Sequence, residues 1–232
     1  AIAAKFAKIK NIIGPGLGNQ KKWLTTSKYL DENDRTLNYS EQSRKLLKIN
    51  SINVNNIYPE IQINVERLKN NNSDLLIKGK KISFGVDSFE DYKMWYEENF
   101  IELAELLKER GLCDYIYLIC GPDKSYIADK IIKKSKKNYF INCSSKDLEG
   151  VILALKNSNF YVGNNSGPLN LSAALGIKTF GLIANDPASE LKYSKINPIT
   201  PEEYKDNTWN RNREGMKKLK TNLVFNQIIN LL

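Results

Sequence analysis

From residue 81 onward the chain alternates strand-like and helix-like segments with short connections, and this alternation constrains the fold more than any other feature. KISFGV reads as a strand. The helix after it runs through residue 110, with Phe100, Leu103, Ala104 and Leu107 at i, i+3, i+4 and i+7 and Gly111 just past its end. DYIYLICG is the next strand, and Ile127, Ala128, Ile131 and Ile132 follow as a narrow helical stripe. NYFINC is a third strand. Ser144 and Asp147 in SSKD fit a capping box, opening a helix with an apolar face of Leu148, Val151, Ile152 and Leu155. NFYVGN is a fourth strand, LNLSAALG a short helix ending at Gly176, and KTFGLI a fifth strand. Repetition at this spacing predicts an α/β protein: a Rossmann-like parallel sheet with helices on both faces. Ligands of such sheets sit beyond the carboxyl ends of the strands, against helix N-termini.

The first 75 residues read differently. AIAAKFAKIK looks like the middle of a helix, so the chain is expected to be the C-terminal part of something longer. After it come a strand-like NIIG, a glycine-rich GPGLGNQKKW, a charged YLDENDR and a helical YSEQSRKLLKI. The polar, asparagine-rich run from Tyr58 to Lys80 reads as a connection between domains. The expected division is residues 1–75 as the remnant of an N-terminal domain with its linker, 76–215 as the Rossmann-like domain, and 216–232 as a C-terminal helix. That helix carries Leu219, Leu223, Val224 and Ile228 and is expected to pack back on the body.

Composition removes several kinds of chemistry. The chain has no histidine, which excludes histidine general bases, Ser-His triads and His-bearing zinc sites. Its three cysteines form no C-x-x-C pair and read as buried reduced thiols, which fits the cytoplasm. No run approaches the roughly 18 apolar residues that span a bilayer. The formal charge of +9 suits anionic partners, yet lysine, asparagine and isoleucine are abundant throughout, and the basic residues are dispersed rather than gathered with stacking aromatics. Nucleic acid is therefore not an expected partner. Gly14, Gly16 and Gly18 superficially match a dinucleotide fingerprint, but no helix pattern opens after them, and a loop is the better reading.

The stretch YVGNNSGPLNLSAALGIKTFGLI passes from strand to helix through Asn164, Asn165, Ser166 and Gly167, with Pro168 at the helix start. Small residues and free amides at a helix N-terminus suit a phosphate, although a plain strand-to-helix turn uses the same residues. Beyond the first strand stand Ser88, Lys93 and Trp95, and beyond the second Gly121-Pro122-Asp123. A cation, helix amides and a carboxylate for a sugar hydroxyl are the parts of a nucleotide site.

In this order, a strand ending in Gly-x-x-Ser, a Lys-x-Trp, a strand ending in Gly-Pro-Asp and then GNNSGPLNLSAALGIKTFGLI, the chain resembles the heptosyltransferases of glycosyltransferase family nine. The resemblance covers residues 76 to 185 well and residues 1 to 75 loosely. It implies one half of a GT-B fold, with residues 1–75 as the remnant of the acceptor-side domain and 76–215 as the nucleotide-sugar-binding domain, and the binding of a nucleotide sugar, typically ADP-heptose, with no metal or other cofactor. Lys93 would neutralise donor phosphate with Ser88 beside it, and Ser166, Gly167 and the amides after them would hold phosphate at the helix start. Trp95 would pack and hold Lys93 in place. Asn165 and Asn170 occupy the positions of the family's Asp and His, and the acid often found after the Gly-Pro turn falls at Lys124, which leaves Asp123 as its substitute. Replacing two charge-assisted hydrogen bonds by neutral ones would weaken donor binding about 30- to 150-fold. The family's catalytic base belongs to the N-terminal domain and would lie upstream of residue 1.

The resemblance implies an inverting, metal-independent transfer of a sugar such as heptose from a nucleotide diphosphate to a lipid-linked, lipopolysaccharide-type or other glycan, in the cytoplasm at the inner face of a membrane. The alternative is a nucleotide- or glycan-binding module of the same fold that has lost catalysis, motivated by Asn165 and Asn170.

Overall fold

The computed structural model describes residues 1–37, 39–54, 58–69, 72–188, 191, 195–205 and 211–232. They form two compact units, Ala1–Tyr58 and Pro59–Leu232. The expected domain division near residue 75 thus differs from the observed one. Leu68 and Leu75 explain the difference: both are buried in the core of the second unit, and the Ile61 amide donates to the Ala174 carbonyl at 2.9 Å. Asn70 and Asn71 of that connection lie outside the described residues.

The first unit contains helices α1 (Ile2–Phe6) and α2 (Tyr39–Ile49) and a 3-10 turn at Gly18–Trp23. The strand expected at NIIG does not form; the Thr25 amide instead donates to the Ile12 carbonyl at 2.9 Å, and the Thr25 hydroxyl accepts from the Ile12 amide at 2.7 Å. The glycine loop is ordered by local packing. Gly16 takes a left-handed φ of 76°, a Cβ there would sit 2.6 Å from the Tyr29 ring, and its amide donates to Gln20 Oε1.

The second unit starts with a short helix, α3 (Val65–Lys69), and then alternates as expected. Its elements are β1 (Lys81–Gly85), α4 (Glu97–Glu109), β2 (Tyr115–Ile119), α5 (Ser125–Ser135), β3 (Phe140–Asn142), α6 (Leu148–Lys156), β4 (Phe160–Asn164), α7 (Gly167–Ala174) and β5 (Lys178–Leu182). A further strand, β6 (Ile196–Ile199), and helices α8 (Glu214–Lys218) and α9 (Thr221–Leu231) complete it. The strands pair in parallel in the order β3-β2-β1-β4-β5-β6. Chain direction across the sheet therefore reverses between β1 and β4, the switch point at which such sheets open a crevice.

Alternation of side chains along the strands divides the core in two. Ile82, Phe84, Ile116, Leu118, Phe160 and Val162 face one side and pack on α4, α5 and α9. Tyr117, Ile119 and Tyr161 face the other and pack on α3, α6 and α7. The α4 stripe Phe100, Leu103, Ala104 and Leu107 is fully buried. Asp147 alone caps α6, its carboxylate accepting from the Gly150 amide at 2.8 Å, so the cap lies one residue before the helix and Ser144 is not part of it. Leu148, expected on the apolar face, is 66% exposed. The C-terminal run is two helices rather than one, broken at Leu219 and Lys220, and Val224 and Ile228 of α9 pack against the α4 face. β6 was not legible because Pro198 interrupts INPI; a proline is tolerated there since β6 is an edge strand.

Candidate functional site

Three glycines stand side by side where the central strands end: Gly85 pairs with Gly163, and Gly163 with Gly181. Tyr161 explains two of them. Its ring leans along the sheet so that a Cβ on Gly85 would lie 1.6 Å from its hydroxyl, and a Cβ on Gly163 2.5 Å. The loops that leave β1 and β4 are stitched together just beyond. Ser88 is buried and its hydroxyl donates to the Asn165 carbonyl at 2.9 Å. The Trp95 amide donates to Asn164 Oδ1 at 2.9 Å, and its indole N–H to the Leu219 carbonyl at 2.7 Å. Trp95 is 2% exposed and edge-on to Phe100, a packing residue as expected.

Lys93 sits in a small ion network. Its ammonium lies 2.5 Å from Glu90 and 3.0 Å from Asp186 Oδ2, and Asn165 Nδ2 donates to the same Asp186 oxygen at 3.0 Å. Burial works against the charge on Lys93, but the two carboxylates more than offset it, so its pKa is raised and the ammonium is fully charged at neutral pH. Asp186 is buried, and its second oxygen is sealed from solvent with no partner among the described residues. Sequence reasoning missed both carboxylates. Asp186 follows the fifth strand in ANDP, and the rule that ligands gather beyond strand ends was the only signal for it.

The start of α7 borders a second feature. A groove of about 540 Å³ is lined by Asp87, Gly121, Pro122, Lys146, Leu148 and Gly167, with Val151 and Leu171 at its apolar wall. The first residues of α6 and α7 both face it, so two helix N-termini bring their partial positive charge to one space. Gly167 is exposed, and nothing lies within 4 Å of where a Cβ would be, so a ligand can approach its backbone closely. Asp87 Oδ2 accepts from the Gly121 amide at 2.8 Å. Burial raises the Asp87 carboxyl pKa, only partly opposed by that amide and by the Lys124 charge. Lys146 is anchored to Asp74 at 2.7 Å.

The seven residues chosen from the sequence thus separate. Ser88, Lys93 and Asn165 belong to one connected network, and Gly167 faces the groove. Asn170 donates to the Ser166 carbonyl at 3.2 Å and braces the helix start. The Ser166 hydroxyl points inward, sealed beside the Tyr161 hydroxyl, and neither makes a well-formed hydrogen bond. Asp123 is exposed on the 3-10 turn Pro122–Lys124 and is not among the residues that line the groove. Lys124 turns away to the Ser88 carbonyl and Asp91. The thiols are buried as expected; burial pushes Cys113 up to about 11 and Cys120 and Cys143 up to about 12. Among the described residues no three His, Cys, Asp or Glu side chains gather as metal ligands, and no helix is long and apolar enough to cross a membrane.

Several solved structures share this architecture. The E. coli ADP-heptose LPS heptosyltransferase II superposes with a TM-score of 0.77 at 16% identity, over 98% of this chain and 71% of that one. The E. coli heptosyltransferase WaaC solved with ADP gives 0.63 at 20% identity, over 90% and 60%. A family 9 glycosyl transferase from Veillonella parvula gives 0.71 at 15% identity, over 89% and 63%. The chain therefore spans between 60% and 71% of the length of these relatives. At such identities the likeness establishes the fold, and the second unit is the expected Rossmann-like half of a GT-B architecture. No curated protein matches the sequence. The family described as Glycosyltransferase family 9 (heptosyltransferase) matches over residues 1–227, nearly the whole chain, and this chain belongs to it.

Proposed function

We propose that the second unit is the donor-binding half of a glycosyltransferase that moves heptose from a nucleoside diphosphate to a lipopolysaccharide-type glycan acceptor. The transfer inverts the anomeric centre and needs no metal. The observation that carries this reading is the position of residues 165–167: Asn165 joins the Lys93 network and Gly167 opens the groove, so one short segment borders both. A nucleoside diphosphate matches that pair of features. Its diphosphate fits against the Gly167 amide and the Lys93 ammonium, and its nucleoside against the groove. Relatives solved with ADP and with an ADP-heptose analogue support the donor class.

In the reaction a carboxylate of the acceptor-side domain takes the proton of the acceptor hydroxyl, whose oxygen attacks the anomeric carbon. The bond from that carbon to the diphosphate breaks, and the electron pair leaves with the diphosphate. Lys93 and the amides at the start of α7 stabilise the charge that develops. Glu90, about two-fifths exposed, is placed to release Lys93 to the phosphate, while the buried Asp186 keeps hold of it. The basic surface suits an acceptor presented at the anionic inner face of a membrane.

A second reading, a binding module without turnover, is motivated by the neutral Asn165 and Asn170. Asp186 weighs against it, because it returns a carboxylate to the immediate neighbourhood of Asn165. Calorimetric titration of ADP tests the site: Lys93→Ala is expected to weaken binding by about tenfold or more, and unchanged affinity removes Lys93 from the site. Turnover of ADP-heptose by the full-length protein excludes the module.

A further inference from the structure

The ammonium that the donor phosphate needs already carries an anion supplied by its own loop. We infer that Glu90 is a built-in competitor for the donor diphosphate: it holds Lys93 until the diphosphate takes its place, and so loosens the grip of the site on donor and product alike. The inference rests on the nucleotide-donor reading above and adds a self-inhibiting contact to it.

The two carboxylates on Lys93 differ in what holds them. The Asp186 side chain is 8% exposed, and its Oδ2 is shared with Asn165 Nδ2 at 3.0 Å. Taking Lys93 from it would strand a buried charge, so Asp186 stays. Glu90 is 41% exposed, three residues before Lys93 on the same loop, with its carboxylate 2.5 Å from the ammonium. Lys93 holds the Glu90 carboxyl below its ordinary range, so it is an anion at neutral pH. The charge of Arg211, an exposed side chain, also acts on Glu90, which gives the carboxylate a second cation to turn toward. The backbone beneath is fixed: the Lys93 amide donates to the Glu90 carbonyl at 3.0 Å, and the Ser88 hydroxyl to the Asn165 carbonyl at 2.9 Å. Exchange of partners on Lys93 therefore needs a side-chain rotation and no movement of the loop.

A phosphate oxygen approaching Lys93 meets a carboxylate in its place, and like charges that close repel. Binding requires the Glu90–Lys93 pair to open, and the measured affinity falls by the fraction of molecules in which it is open. Water around Glu90 screens the pair and keeps that factor to about three- to tenfold. Such a contact suits a transferase, because an enzyme that binds its nucleotide product too well is limited by release.

The test is calorimetry with ADP on the wild-type chain, Glu90→Gln, Glu90→Ala, Lys93→Ala and the Glu90→Gln/Lys93→Ala double variant, each checked for a native urea transition. Glu90→Gln and Glu90→Ala are expected to bind ADP about three- to tenfold more tightly than wild type, the reverse of what loss of a donor-binding residue does. In the Lys93→Ala background, Glu90→Gln should change affinity by less than about twofold, because the contest is for that ammonium. Asp91→Asn removes an exposed carboxylate that pairs with Lys124 instead and should stay within about twofold of wild type. Unchanged or weaker binding in both Glu90 variants overturns the inference. So does an equal gain with and without Lys93, or in Asp91→Asn, since either means general charge repulsion rather than competition. The donor reading survives those results if Lys93→Ala weakens ADP. Failure of wild type to bind ADP overturns the donor reading and this inference with it.

Discussion

Replacing Gly85 by alanine probes the packing beneath the site most directly. The new methyl carbon would lie 1.6 Å from the Tyr161 hydroxyl, 2.5 Å from ring carbon Cζ and 3.2 Å from Cε2. Tyr161 has little room to yield, because it is fully buried and its hydroxyl also fills the space over Gly163. Either the phenol leaves its slot or β1 and β4 separate at the paired glycines. Overpacking commonly costs about 1–3 kcal/mol. An approach this short belongs at the top of that range, so we expect a loss of about 3 kcal/mol.

A second substitution makes the reasoning falsifiable. Tyr161→Phe deletes the atom at 1.6 Å but leaves the ring carbon at 2.5 Å, so it should relieve only part of the strain. By itself Tyr161→Phe should be nearly neutral or slightly stabilising, because the hydroxyl it removes is buried without a well-formed partner. The double variant should therefore be more stable than Gly85→Ala by about 1–2 kcal/mol. Urea denaturation of all four proteins, read by linear extrapolation, gives the cycle. A Gly85→Ala protein within about 0.5 kcal/mol of wild type, or a double variant no better than the single, would refute the packing account.

Two further outcomes follow from the local chemistry. Asp147→Ala removes the bond to the Gly150 amide and should cost about 1 kcal/mol in the same assay, with Ser144→Ala costing clearly less; equal losses would restore the capping box. Burial raises the Asp87 pKa above its ordinary 3.8, so the folded chain holds that proton more tightly than the unfolded one. The stability this lends is complete below the ordinary value and is lost as pH rises through the raised one. Asp87→Asn should then gain on wild type as pH increases from about 4 to about 7, and a constant difference between the two proteins across that range would disprove the sign.

The layered fold was legible because burial repeats at the spacing each element dictates. The α4 stripe was read residue by residue, and all four positions are sealed. Where reading failed, a tertiary circumstance decided. Among the described residues the apolar NIIG pairs with no strand, and a proline-bearing INPI is tolerated as a strand because it lies at an edge. A polar run around Leu68 and Leu75 looked like a linker until a hydrophobic layer closed over those two leucines. The candidate site was legible in the small residues that open α7 and less so in its charges. Glycine and small polar residues marked the start of α7 because few other residues let a ligand near a helix amide. Asp186, by contrast, is an ordinary loop carboxylate in sequence, and only the folding of β1, β4 and β5 beside one another brings it to Lys93 and Asn165.

The two borders of the sheet have a consequence for crowded solutions. One border strand is only three residues long, Phe140–Asn142, and the other, Ile196–Ile199, carries a proline that can donate no backbone hydrogen. Neither offers a foreign strand a continuous template, so copies of this unit are poorly equipped to zip together edge to edge. A strand added at either border would find at most three or four residues to pair with, too few to hold it.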